Sequence, residues 1–586
     1  MKLMRELRYI FPRRQRLLFL CLFFMQLVQT AMDFLSVSLI LPFVNILVTP
    51  DRLDGQWWYE LLRRLTHSGS HESIMLLLTF ALMAVYVLKN LYKLLMIQLS
   101  VKFVSYNEVR MCAKMIRCYM NKPYTFHLQR NTSEIVRNIT QDVGGAFSVI
   151  STIFNLISDS LIILVLVVYL FAVDATMTLA ISAALLLCSA VYFLVVRKKI
   201  RATGTEARKL NAKKYKAIHQ AMGGIKEVKV MGREEFFADV YQDAGAKAVV
   251  LNKRYKIIAS LPGILIESLC ICSVLGVVAF RIASHQALAD IVPSLSAFAV
   301  AAMRLMPRAN SINGDINTIT YNLPSLEALY ADLTDSEREQ RERQAEIERK
   351  KRERRAVADE CAQDILVRHV SYTYPNRDEP VLRDVSLQIR HGTSVGIIGV
   401  TGAGKTTLVD LILGLLRPDS GAVCYGALDI YEDYTQWQKH IGYIPQNIYL
   451  VDDTIRSNVA LGLDPSEIDD RQVWRALEDA QLADFVRSLA DGLDTVVGER
   501  GIRISGGQRQ RIGIARALYR DPEILFFDEA TSSLDNETEA AVMQAINRIG
   551  NSKTMIIVAH RLTTIAGCDR IFKVENGQVH ETTLEP

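Results

Sequence analysis

Residues 395–407 read VGIIGVTGAGKTT, an apolar run ending at Gly399, Gly402 and Gly404 and followed at once by Lys405, Thr406 and Thr407. Glycines at this spacing let the backbone N–H groups of the loop, which also holds Val400, Thr401 and Ala403, close around phosphate oxygens. A helix starting at the lysine adds the positive end of its dipole. Lys405 then reaches the β- and γ-phosphates of a nucleotide, and the Thr406 hydroxyl ligates Mg2+. A second stretch, Ile524-Leu525-Phe526-Phe527-Asp528-Glu529, is an apolar strand ending in two acids. The expectation is that it lies beside the phosphate loop, with Asp528 near Mg2+ and Glu529 polarising an attacking water.

Between the two stands Ile504-Ser505-Gly506-Gly507-Gln508. Here the chain resembles the ATP-binding cassette (ABC) family, whose signature is LSGGQ; Ile for Leu is a volume-conserving swap. The resemblance extends to Tyr374 in VSYTYP, which implies an aromatic stacked on adenine, and to Gln446 in IGYIPQN, which implies a contact to Mg2+ and water. Ser532-Ser533-Leu534-Asp535 looks like the family's D-loop, His560 in VAHRL like the switch histidine on the γ-phosphate, and Gly498-Glu499-Arg500-Gly501 like the segment by which exporters sense membrane-helix tips. In the family the signature serine and glycines cap ATP held by another subunit. One cassette, over 361–586, therefore implies a half-transporter that dimerises, with a second copy or a different half.

These motifs require an α/β fold of P-loop type: strand, loop, helix, then further apolar strands carrying acids and histidine at their ends. The remainder of the chain is of another kind. Half of its 586 residues are hydrophobic and only 22% are charged, which excludes disorder and is too apolar for an ordinary soluble protein. The formal charge of +5 gives no reason to expect a nucleic-acid partner. Nine scattered cysteines show neither zinc spacing nor a disulfide framework.

The apolarity is concentrated in runs near 17–48, 73–99, 146–173, 175–196, 257–283 and 291–310, each about long enough to cross a bilayer. The first is read as a retained helix, because it outruns a signal-peptide core and lacks a small-residue cleavage site. Lys and Arg crowd the N-terminus and the stretches after the second and fourth runs, and are absent from 173–176. By the positive-inside rule both termini and the cassette are cytoplasmic in a multi-pass membrane protein. The two long basic connectors have helical pattern and would carry their tips tens of Å past the membrane. The division expected is a helical transmembrane domain over 1–325, a charged helical linker over 326–360 and the cassette. Within the linker, Glu337/Arg341 and Glu339/Arg343 stand at i,i+4 in the favourable order.

Cargo must be read from the membrane half. Asp33, Lys89, Lys93, Glu267, Arg304 and Arg308 fall in or near the apolar runs, where charges face a partner or a wet cavity. Glu267 lies about 15 Å into its helix; Lys89 and Arg304 are read as cations lining a cavity for an anionic headgroup, whereas Asp33, Lys93 and Arg308 suit interhelical salt bridges or snorkelling as well as a headgroup contact. The segments MDFLSVSLILPFVNIL, YVLKNLYKLL, AMRLMPRANSI and IGYIPQNIYLVDDTI look like the PglK-type flippases, which move lipid-pyrophosphate-linked oligosaccharides from the cytoplasmic to the periplasmic leaflet. That resemblance implies an anionic lipid-linked glycan as substrate; lipid A-type and multidrug exporters share the architecture and are the alternatives. Finally, Trp57, Trp58, Leu61, Leu62 and Leu65 share one helical face in the 49–72 loop, so an amphipathic helix is expected there, lying on the outer leaflet or packing that face against the ends of the membrane helices.

Overall fold

The computed structural model describes residues 5–6, 9–38, 71–173, 175–283, 288–353, 363–529, 553–559 and 561–583. The chain divides into two compact units, one of Met1–Lys122 with Gln129–Glu339 and one of Pro123–Leu128 with Gln340–Pro586. The amphipathic segment expected around residues 57–65 lies outside the described residues, as do Ser532–Asp535 and His560.

The helices before the cassette are α1 (Arg13–Ser38), α2 (His71–Met120), α3 (Tyr124–Gln129), α4 (Thr132–Arg137), α5 (Val143–Val173), α6 (Ala175–Gly223), α7 (Ile225–Met231), α8 (Glu234–Ala283) and α9 (Leu288–Glu353). Among the described residues α1, α2, α5 and α8 hold stretches long and apolar enough to cross a bilayer. Leu88, Leu94, Leu164 and Leu187 point outward from these elements and from α6, as side chains facing lipid do. At 50 residues α2 is about 75 Å long, against about 30 Å of hydrocarbon, so much of it stands clear of the membrane as expected.

In those extensions the helices meet through polar groups. A π-helical turn over Asn138–Asp142 joins α4 to α5 and turns Asp142 into the bundle. There its carboxylate accepts from Nε of Arg208 on α6 at 2.9 Å and from Oγ of Ser325 on α9 at 2.9 Å. Asp332 of α9 accepts from the hydroxyl of Tyr119 at 2.6 Å and from Asn138 at 3.1 Å. A Cβ on Gly204 of α6 would sit 2.1 Å from the carbonyl oxygen of Tyr321, so only glycine lets α6 and α9 approach this closely.

The first unit runs past residue 325 to Glu339, and the segment read as the start of a solvated linker is part of its core. Leu326, Leu329 and Leu333 are fully buried, and α9 continues unbroken to Glu353. Glu337 and Glu339 reach Lys114 and Lys122 on the α2 side, at 3.6 and 2.7 Å, so these acids clamp one helix to another.

The second unit contains two sheets. Strands β1 (Ile365–Tyr372), β2 (Leu382–Ile389), β4 (Ser420–Tyr425) and β5 (Leu428–Asp429) form an antiparallel sheet ordered β2-β1-β4-β5. The other sheet is ordered β10-β9-β3-β8-β7-β6, from β3 (Ser394–Ile398), β6 (Ile441–Ile444), β7 (Ile524–Asp528), β8 (Thr554–Val558), β9 (Arg570–Glu575) and β10 (Gln578–Thr582). All but its β9–β10 pair run parallel. Parallel strands buried on both faces are apolar throughout, which is why β7 reads ILFF without alternation.

The period-2 geometry nevertheless sends alternate residues to different cores. Ile524, Phe526, Ile556 and Val558 pack with Leu408, Val409 and Leu411 of α10 (Lys405–Ile412), whereas Leu525, Phe527, Met555 and Ile557 pack with Ile512, Ile514 and Ala515 of α11 (Gly506–Leu518). The phosphate-loop helix and the signature helix thus lie on opposite faces of one sheet.

Candidate functional site

The phosphate loop leaves β3 and enters α10 through three glycines at positive φ: Gly399 at 153°, Gly402 at 83° and Gly404 at 109°. At Gly399 a Cβ would lie 2.4 Å from the carbonyl oxygen of Val574 on β9, so the loop turns where a side chain cannot be fitted. Lys405 folds its buried chain back under the loop, and its Nζ donates to the carbonyls of Gly399 at 2.8 Å and Val400 at 3.3 Å. Thr406 is exposed at the first turn of α10, where free N–H groups and the helix dipole favour an anion. The far end of this helix is anchored. The Tyr431 hydroxyl donates within 2.7 Å of the Leu411 and Leu416 carbonyls, and Trp437 Nε1 donates to Ile412 at 3.1 Å. Those bonds satisfy helix-end carbonyls and fix where Lys405 points.

Tyr374 reaches the same helix, its hydroxyl 3.2 Å from that of Thr407. Tyr124 of α3 belongs to this unit, and burial with nearby Asp410 and Tyr374 raises its phenol above the ordinary value.

The acidic strand is placed differently from expectation. β8 lies between β3 and β7, so Asp528 is one strand removed from the loop strand. Parallel pairing still ends both strands at the same edge, with Asp528 opposite Val558. Burial and neighbouring Glu529 raise the Asp528 carboxyl, while the Tyr443 hydroxyl, donating at 3.4 Å, and Lys405 pull it back. Glu529 leaves the strand at φ 50°, a left-handed conformation uncommon outside glycine, and its N–H donates to Val558 at 3.1 Å. The turn brings the Glu529 carboxylate to Nε2 of Gln446, which follows β6, at 2.7 Å.

Sequence reading missed Asp410. It is a polar residue on a helix whose Leu408, Val409, Leu411 and Ile412 are core, and burial with Asp528 nearby pushes its carboxyl up to about 7. Asp410, Asp528 and Glu529 crowd an edge where Lys405 is the neighbouring cation, which is the electrostatic preparation for a site that takes up positive charge with phosphate. Among the described residues no three His, Cys, Asp or Glu side chains form a self-sufficient metal cage. A donor set of Thr406 hydroxyl, Gln446 carboxamide and Asp528 carboxylate fits a cation that takes further ligands from the phosphates.

At the signature, Ser505 caps α11. Its Oγ accepts from the N–H of Gln508 at 3.2 Å, and Gln508 Oε1 accepts from the N–H of Ser505 at 2.9 Å. This capping box presents Gly506 and Gly507 at a helix start with open space around Gly506.

Two of the membrane cations, Lys89 and Arg308, are held by carboxylates. Lys89 is buried, 3.0 Å from Asp33, and donates to Ser36 at 3.3 Å. Arg308 pairs with Asp33 at 3.6 Å and bonds Asp159, a partner the sequence reading had not singled out. Two cations and two carboxylates from α1, α2, α5 and α9 neutralise one another, so Lys89 and Arg308 tie these helices together. Glu267 is exposed on α8, and the Arg304 side chain lies outside what is described.

The comparisons with known proteins agree over both halves. Residues 18–304 match the ABC transporter transmembrane region and residues 382–532 match the ABC transporter model. An ATP-dependent lipid A-core flippase of Ralstonia nicotianae is 30% identical over 474 residues, covering 80% of this chain and 77% of the relative. The proteins of that name from Salmonella typhimurium and Escherichia coli are each 29% identical over 470 residues, covering 79% of this chain and 77% of each relative. Among solved structures, a bacterial Atm1-family ABC exporter with ATP bound has a TM-score of 0.76 at 22% identity, over 97% of this chain and 94% of that one, a likeness of fold. The finer resemblance to lipid-linked oligosaccharide flippases finds no specific support in them.

Proposed function

The chain belongs to the ABC transporter family, as a membrane-embedded exporter that couples ATP hydrolysis to transport, and on that premise we propose that it works as a homodimer flipping an anionic glycolipid of lipid A-core type out of the cytoplasmic leaflet of a bacterial inner membrane. The observation that carries the cargo class is the shared name of relatives aligned over four-fifths of the chain. None of those relatives is named as a lipid-linked oligosaccharide flippase, which is why the lipid A-core class is preferred.

The cassette geometry supports a dimer. Phosphate loop and signature stand on opposite faces of one sheet, so Ser505, Gly506, Gly507 and Gln508 would cap ATP held by the partner's loop. At the second connector's tip Val230, Met231 and Phe236 are exposed well away from any lipid, an apolar patch that suits a second copy.

In the ATP site, the loop from Gly399 to Thr407 would bind the phosphates, with Lys405 exchanging its loop carbonyls for β- and γ-oxygens and Tyr374 stacking on adenine. Thr406, Gln446 and Asp528 would hold Mg2+, which offsets phosphate charge when bound. Glu529, pre-set by its turn and by Gln446, would orient and deprotonate the attacking water, with His560 on the γ-phosphate.

ATPase measured in nanodiscs tests the cargo class. A lipid A-core glycolipid should stimulate turnover several-fold, whereas an undecaprenyl-pyrophosphate oligosaccharide and a cationic amphipathic dye should not. Stimulation by either of the latter alone would reassign the cargo.

A further inference from the structure

A cavity of about 440 Å3 opens between α5, α6, α8 and α9 within a single protomer. Its walls include Leu164 and Leu170 of α5, Leu185 of α6, Ile266 and Cys270 of α8 and Met306 of α9. The charged cluster of Asp33, Lys89, Asp159 and Arg308 contributes none of its residues to this wall. A few hydroxyls and Asn313 interrupt the aliphatic lining, and the Asn313 amide is committed to the carbonyl of Ala309 at 3.0 Å. An apolar wall of this kind gives water too few hydrogen bonds and accepts hydrocarbon instead.

Its shape narrows the occupant. On α6 the lining runs from Thr178 to Phe193, about 22 Å of helix at ~1.5 Å per residue. A cleft of that length, walled by aliphatic groups contributed by four helices, fits an extended alkyl chain lying along them.

The inner end is amphipathic. Phe193 closes the apolar wall, and the exposed guanidinium of Arg197 lies over its ring at 5.3 Å. Arg197 is the first of three successive cations, before Lys198 and Lys199, where the apolar run 175–196 ends at the cytoplasmic interface. Behind it Tyr192 fixes the wall, donating to the Ile258 carbonyl of α8 at 2.7 Å and accepting from Asn317 of α9 at 3.0 Å.

We propose that this cavity holds one hydrocarbon chain of an anionic membrane lipid, with the lipid headgroup at Arg197. The inference goes beyond the transport reading and does not depend on which lipid is carried. It places a lipid site inside each protomer, reached from the cytoplasmic leaflet.

The test uses the full chain in phosphatidylcholine nanodiscs doped with phosphatidylglycerol bearing a diazirine near one chain end. After irradiation, label should appear on wall peptides spanning Leu164–Leu170 and Ile266–Val274, and outward-facing Leu88 serves as the internal reference. Ser182→Phe, which fills the cavity from α6, should lower wall labelling at least about tenfold relative to that reference, a difference large enough to read as lost binding. Val274→Phe, from the opposite wall, should do the same and guards against misfolding of the first variant. Arg197→Gln should lower labelling by the phosphatidylglycerol probe and leave that by a phosphatidylcholine probe unchanged. Excess lipid A-core glycolipid separates the two sources of the chain: competition marks cargo and its absence marks a resident phospholipid, and the site stands in both cases. Wall labelling unaffected by both filling variants would overturn the cavity site, and equal loss of both probes in Arg197→Gln would overturn the headgroup assignment.

Discussion

The carboxamide of Gln446 donates to the carboxylate of Glu529 across 2.7 Å, linking the ends of two strands that are parallel neighbours. Glu529 reaches this partner only by adopting φ 50°, a conformation that costs energy outside glycine. The residue proposed to orient water is thus held by backbone geometry on one side and by a residue of the β6 loop on the other.

Glu529→Gln should therefore separate binding from chemistry. Removing the carboxylate takes away the base while the phosphate loop and Lys405 remain, so turnover should fall at least about a hundredfold with ATP affinity retained. Purified variant assayed for phosphate release and for nucleotide binding checks both halves. Lys405→Ala should show the opposite pattern and weaken binding itself.

Asp410 supplies a pH prediction. Its carboxyl is raised to about 7, well above an unfolded-chain value near 3.8, because burial and Asp528 disfavour the charge. The folded cassette then binds more protons than the unfolded chain between roughly pH 4 and 7, so this residue costs stability progressively as pH rises through that window and uniformly above it. In nucleotide-free protein, the Tm advantage of Asp410→Asn over wild type should grow from pH 4 to 7 and then level off. An advantage independent of pH would show that Asp410 does not titrate in this range.

For the membrane cluster the expectation is structural. Lys89→Ala leaves Asp33 with Arg308 alone in a buried site, and Asp33→Ala leaves Lys89 with Ser36. Each single change should cost roughly 3–5 kcal/mol, and the double variant clearly less than their sum. Thermal melts in detergent of the four proteins of the cycle measure this. Additive losses would mean that the pair contributes no coupling.

The cassette was legible because its chemistry is written locally: glycines at fixed offsets, a lysine, a strand ending in acids and a helix cap each fall within a few consecutive residues. What sequence could not supply was partnership over distance. Nothing around Lys89 names Asp33, and nothing around Arg308 names Asp159, so Lys89 was read as a headgroup cation and Arg308 was left open between a headgroup and a salt bridge where ion pairs exist. The insertion of β8 between β3 and β7 is a sheet-order fact with no local signal. Glu337 and Glu339 satisfied an intrahelical spacing rule yet reach across to Lys114 and Lys122, because α9 there is packed against another helix.

Lipid movement itself is the most direct measurement. In proteoliposomes loaded with a lipid A-core glycolipid, MgATP added on the cassette side should transfer glycolipid to the opposite leaflet, read by its accessibility to an impermeant label, in wild type and not in Glu529→Gln. Hydrolysis by the wild type with no change of leaflet distribution would contradict the account.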